Sequence, residues 1–135
     1  MPIDYIYIHI VWSTKNRDDV FSPEGMVKMS KIIDNVATKN KIFLLAVNGY
    51  KDHIHCLVQL KRSQSLSSII KQLKGSSSFI YNKSVANEQK IKWQRGAFSE
   101  SIQPKAVEKV INYIRYQEHI HRNREFKFLD FKRWG

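Results

Sequence analysis

With 135 residues, the chain has room for one sizeable hydrophobic core and too little for two, so residues 1–135 are expected to form one domain. A hydrophobic fraction of 42% and an aromatic fraction of 12% exclude a disordered polymer, and no apolar run nears the roughly 18 residues of a membrane span. Lys and Arg number 23 against 12 Asp and Glu, and the net charge of +11 points to a polyanionic partner, nucleic acid first.

Residues 5–12, YIYIHIVW, alternate as a half-buried strand does. Ile6, Ile8, Ile10 and Trp12 share one face; Tyr5, Tyr7, His9 and Val11 share the other. A polar loop, STKNRDD, follows. Ser22-Pro23-Glu24 reads as a helix start, and Met26, Met29, Ile32, Ile33 and Val36 then keep helical spacing. IFLLAV, 42–47, predicts a second strand, with Asn48-Gly49 as turn chemistry in a loop lengthened by Tyr50-Lys51-Asp52. A third strand is expected at about 53–60. Ser63 or Ser65 caps the next helix, whose core face is Leu66, Ile69, Ile70 and Leu73; Phe79, Ile80 and Tyr81 carry it past Gly75 and Ser76 to Ser78. Residues 84–96 are polar and irregular, AFSESI (97–102) predicts a last strand, and Pro104 opens a helix over 105–118 with core face Val107, Val110, Ile111 and Ile114. The order β-α-β-β-α-β-α is the α+β, ferredoxin-like plan with an additional C-terminal helix. Its antiparallel sheet is expected to carry helices on one face and leave the other free.

The third strand reads DHIHCLVQL, and His53 and His55 fall on one side of it. Their Cα atoms should lie about 6.5–7 Å apart, which suits two imidazoles converging on one ion. Leu57 shares their face, while Ile54, Cys56 and Val58 pack on the other. Asp52 can orient a ring as an acceptor. The bland alternative is two strand histidines that only hydrogen-bond. His9 reads as structural rather than as a ligand. Cys56, the only cysteine, reads as core and forbids an internal disulfide; a reducing, cytoplasmic setting fits, and MPIDYIYIHI lacks the basic segment and cleavage site of a secretory signal. A second His-Ile-His, His119 and His121, diverges by roughly 200° on a continuing helix and cannot share an ion there. If the helix has ended the pair could, as part of a four-histidine zinc site, but that needs an unusual geometry and the pair reads as surface.

On the last helix Tyr113 falls roughly 110° from the core stripe and Gln117 roughly 70°, on the same flank. They stand at i, i+4 and are neighbours. Tyr116 falls roughly 170° away and is expected in solvent. Tyr113 is therefore the better nucleophile if this helix faces a metal; otherwise it covers the core edge and Gln117 is an ordinary helix residue.

Five segments in order carry a resemblance over nearly the whole chain: IHIVWSTKNR (8–17), DHIHCLV (52–58), SLSSIIKQLKGSSS (65–78), KWQRGAFSESI (92–102) and VEKVINYIRYQEHIHR (107–122). The chain resembles the HUH endonuclease superfamily, in its single-tyrosine transposase branch of small bacterial and archaeal insertion sequences, and is also similar to the REP-associated tyrosine transposases. The resemblance implies that His53, His55 and Gln117 hold Mg²⁺ or Mn²⁺. It implies that Tyr113 attacks a phosphate of single-stranded DNA, leaving a 5′-phosphotyrosine and a free 3′-OH. It implies hairpin or palindromic DNA ends as substrate, and a homodimer. WQRGAFSESI is shorter than the family's usual form before the last strand. Lys71, Lys74 and Ser76 to Ser78, with Lys92, Trp93 and Arg95, are candidates for DNA contact, as are Arg115, Arg122 and Arg124.

Three other functions fit parts of the chain. A domesticated relative would cut genomic palindromes with the same chemistry. A non-catalytic RNA- or DNA-binding module of the same fold would use Tyr5 and Tyr7 as stacking platforms. A zinc hydrolase would need a carboxylate base beside the histidines, and the sequence places none there.

Overall fold

The computed structural model describes residues 3–117. Four strands, β1 (Tyr7–Ser13), β2 (Phe43–Tyr50), β3 (His53–Gln59) and β4 (Phe98–Ile102), form one sheet in the order β2-β3-β1-β4. Every adjacent pair is antiparallel. With α1 (Pro23–Lys39) after β1 and α2 (Leu66–Lys83) after β3, this is the ferredoxin-like arrangement. A final helix, α3 (Val107–Arg115), follows a short 3-10 turn at Pro104–Ala106. The helix expected over 105–118 thus begins later, and Tyr116 closes α3 with non-helical dihedrals.

The alternating strand pattern sorts two cores. Ile8, Ile10 and Trp12 of β1 and Ile54, Cys56 and Val58 of β3 face α1 and α2, where they meet Met29, Ile33, Val36, Ile69 and Leu73. On the opposite face Leu57 packs with Val110, Tyr113 and Ile114 of α3. The second sheet face is therefore not free. The amphipathic stripe on α3 needs an apolar surface, and Leu57, Tyr7 and Leu45 supply it.

Local chemistry sets the element ends. The Ser22 hydroxyl accepts from Gly25 N at 3.0 Å, with Pro23 in the first turn of α1. Ser65 caps α2 from Ser68 N at 3.1 Å. The α2 helix continues through Gly75 because Leu73, Ser77 and Tyr81 keep one buried stripe.

The β2–β3 turn differs from the sequence expectation. Asn48 and Gly49 remain in β2, Tyr50 pairs with His53, and the turn is the two residues Lys51 and Asp52. Gly49 serves close approach instead: a Cβ there would collide with the His53 carbonyl. The turn is fastened from outside. Thr14 N donates to Asp52 O at 2.8 Å, and Val20 N and Phe21 N both donate to Lys51 O at 2.9 Å.

Candidate metal and nucleophile site

β3 and α3 bring the four singled-out side chains together on the α3 side of the sheet. His53 and His55 are each 1% exposed, Gln117 0% and Tyr113 7%, whereas Tyr116 is 54% exposed. The helical-wheel distinction between the two tyrosines therefore matches their burial. The His55 ring meets Tyr113 edge to face, with centroids 5.5 Å apart, and lies 4.9 Å from the His53 ring.

Each group is oriented by a neighbour. His53 Nδ1 lies 2.8 Å from Asp52 Oδ1, and its Nε2 lies 3.1 Å from Gln117 Oε1. Gln117 Nε2 donates to the Tyr113 carbonyl at 3.0 Å, which decides that Oε1 is the atom turned toward His53. Both nitrogens of His53 thus face acceptors, and the imidazole satisfies both as a donor only when doubly protonated. A cation held between Nε2 and Oε1 removes that requirement. The spacing fits one: neighbouring donors on an octahedral ion with bonds of 2.0–2.1 Å stand about 3 Å apart. Among the described residues no three His, Cys, Asp or Glu side chains gather in a metal-holding group, and the Gln117 carboxamide oxygen is the polar atom that faces His53 Nε2.

A third histidine also reaches the site. His9 is fully buried, its Nε2 lies 2.9 Å from His55 Nδ1, and its ring approaches Tyr113 edge on at 6.3 Å. Burial pushes its pKa down to about 4, which keeps the ring neutral. His9 stands on the strand face of Tyr5, Tyr7 and Val11, opposite the main core, and that position was the sequence signal for it. Cys56 is buried in the main core, and burial raises its thiol far above the usual range.

The basic candidates divide. Lys71, Lys92 and Arg95 are exposed around a groove of about 840 Å³ between α2 and the loop before β4. Lys74 lines the same groove, but its ammonium donates to the carbonyls of Gln94 and Gly96 at 2.8 and 2.7 Å, and burial lowers its pKa. It holds the loop. Ser77 is buried with its hydroxyl on the Lys74 carbonyl, so it offers nothing to DNA. The Trp93 indole also donates to the Lys74 carbonyl and packs edge on against Trp12, and the half-buried ring lines the same groove. Arg115 is exposed, and its carbonyl accepts from Asn48 Nδ2 at 2.9 Å. Arg122, Arg124, His119 and His121 lie outside the described residues.

The family model described as "Transposase IS200 like" matches residues 3–117. The chain belongs to the IS200-like transposase family. It is 28% identical over 115 residues to the transposase for insertion sequence element IS200 of Salmonella typhimurium, a match spanning 81% of this chain and 74% of that one. It is 28% identical over 76 residues to the ISDra2 transposase TnpA of Deinococcus radiodurans, spanning 54% of each, so the match covers about half of that relative. Among solved structures, one from Deinococcus radiodurans R1 assigned as a transposase superposes with a TM-score of 0.69 at 21% identity, covering 87% of this chain and 95% of that one. A REP-associated tyrosine transposase bound to a REP hairpin superposes with a TM-score of 0.64 at 16% identity, covering 94% and 73%. These two likenesses bear on the fold. No helix among the described residues is long and apolar enough to cross a membrane.

Proposed function

We propose that this IS200-like transposase is a divalent-metal-dependent strand transferase that cuts and rejoins single-stranded DNA at hairpin-bearing ends. The observation that carries the reading is the meeting of His53 Nε2 and Gln117 Oε1 at 3.1 Å, with His55 and Tyr113 packed beside them. His53, His55 and Gln117 would hold Mg²⁺ or Mn²⁺. All three donors are neutral, so the ion's charge is left to the phosphate. When bound, the ion supplies Lewis-acid polarisation of the scissile phosphate and a charge that favours the tyrosine's phenolate.

The chain's own residues supply the rest. Tyr113 attacks phosphorus through its phenolic oxygen; that P–O bond forms, the bond to the 3′ oxygen breaks, and a free 3′-OH leaves. The phenolic proton passes to solvent as the bond forms, and the leaving 3′ oxygen takes one up from solvent to become the 3′-OH. The reverse attack by another 3′-OH restores the phosphodiester and frees the tyrosine, with no external energy source. Lys71, Lys92 and Arg95 suit backbone phosphates as exposed cations. The REP-associated relative is bound to a REP hairpin, which supports hairpin DNA as the partner in this reading. The reading includes a homodimer, as the resemblance implies. A plait-type stacking module is less well supported, because α3 covers the sheet face that carries Tyr7.

The test is a covalent adduct. With labelled single-stranded DNA carrying terminal hairpins and Mn²⁺, wild type should form a protein–DNA species that survives SDS. Tyr113→Phe and His53→Ala should abolish it, and Tyr116→Phe should keep it. Loss in Tyr116→Phe with retention in Tyr113→Phe would overturn the assignment of the nucleophile.

A further inference from the structure

His9 and His55 touch through one nitrogen each, 2.9 Å apart, with both rings buried. The ring centroids are 5.0 Å apart and the planes incline by 21°. Nitrogens so much closer than centroids mean that the rings meet head to head, nearly in one plane, as a hydrogen bond requires. Between neutral imidazoles one nitrogen donates and the other accepts. The direction decides which nitrogen of His55 keeps its lone pair.

The neighbouring histidine supplies the comparison. His53 Nδ1 faces the Asp52 carboxylate, which can only accept, and its Nε2 is the nitrogen turned toward Gln117. At His55 the equivalent Nδ1 faces an imidazole, which can play either role. Histidines that bind metals almost always donate their other N–H to a fixed acceptor. His9 stands where that acceptor belongs. Glu100 of β4 is the register partner of His9 and lies on the same sheet face. His9 Nδ1 has no direct hydrogen-bond partner among the described residues.

We propose that His9 is a positioning residue for His55: its Nε2 accepts the His55 Nδ1–H and so keeps the lone pair of His55 on Nε2. The two ligand histidines would then be locked in the same tautomer by different means, a carboxylate for one and an imidazole for the other. This rests on the reading of His53, His55 and Gln117 as the donor set.

Long-range ¹H–¹⁵N spectra of the metal-free, histidine-labelled protein near neutral pH read the tautomer directly. The expected result is His55 protonated on Nδ1 and bare on Nε2; His55 protonated on Nε2 in wild type overturns the proposal, and this measurement needs no variant. In His9→Leu the Nδ1–H preference should disappear, and in His9→Gln, whose carboxamide oxygen can accept, it should return. Mn²⁺ affinity, read by electron paramagnetic resonance, should fall about 10- to 100-fold in His9→Leu and recover in His9→Gln. Unchanged Mn²⁺ affinity in a His9→Leu protein with a native circular dichroism spectrum also overturns it. Failure of the donor set is distinguishable: Mn²⁺ binding would then be indifferent to His53→Ala, whatever the tautomer of His55.

Discussion

A buried imidazole is costly unless its nitrogens are matched, and three such rings share this site. His9 illustrates what the burial does. Its pKa falls from 6.5 to about 4, so between those values the unfolded chain binds a proton that the folded chain refuses. That contribution to stability is complete above pH 6.5 and is lost as pH falls toward the folded value. At about 1.4 kcal/mol per unit of full slope, and with the unfolded ring half protonated at pH 6.5, lowering pH from 6.5 to 5 should remove about 1.6 kcal/mol. Urea unfolding midpoints should drop more steeply over that interval in wild type than in His9→Gln; equal slopes would contradict the burial argument. At this scale the positions of His53, His55, Tyr113 and Gln117 were legible, because a period of two places the histidines on one strand face and a 100° step separates Tyr113 from Tyr116. The contact of His9 with His55 was not. It depends on the register in which β1 lies against β3, and nothing local in YIYIHIVW sets that register.

Elements hold these residues where they are. His53 is the first residue of β3, directly after the Lys51–Asp52 turn, so the turn's fastening to Thr14, Val20 and Phe21 also fixes where the His53 ring begins. Gly49 lets β2 pass the His53 carbonyl. Gly49→Ala should therefore cost at least about 2 kcal/mol, since the clash is with backbone rather than a flexible side chain. Urea denaturation checks this, and a variant as stable as wild type would show that the close approach is dispensable. Caps were readable here: Ser22-Pro23 and Ser65 begin helices as their chemistry requires. The turn was not, because Asn-Gly is a strong local hairpin signal that lost to a tertiary demand for a small residue within the strand. Ser77 was misplaced for a related reason. It looks polar-surface in context, yet it is buried with its hydroxyl on the Lys74 carbonyl, which the half-buried Trp93 indole also meets in the packing of α2 against the loop before β4.

Over the described residues the molecule is a sheet covered on both faces. The order of elements made the α1–α2 side predictable, while the covering of the second face by α3 required knowing that its apolar stripe turns back onto Leu57. Charge also acts at this scale. With +11 overall and Lys71, Lys92 and Arg95 around one groove, single-stranded DNA binding should weaken steeply with salt. Replacing each of those three by Ala should reduce the slope of log K against log salt by about 0.7, largely regardless of DNA sequence. Unaltered slopes in all three would remove the groove from the DNA path. The central claim is chemical: one buried phenol beside two imidazoles and a carboxamide becomes covalently attached to DNA. Trypsin separates the two candidate tyrosines, since cleavage after Lys109 and Arg115 puts Tyr113 in peptide 110–115 and Tyr116 in peptide 116–122. Mass spectrometry of the nuclease-trimmed adduct should find the phosphonucleotide on peptide 110–115; finding it on 116–122, or on neither, would contradict the account.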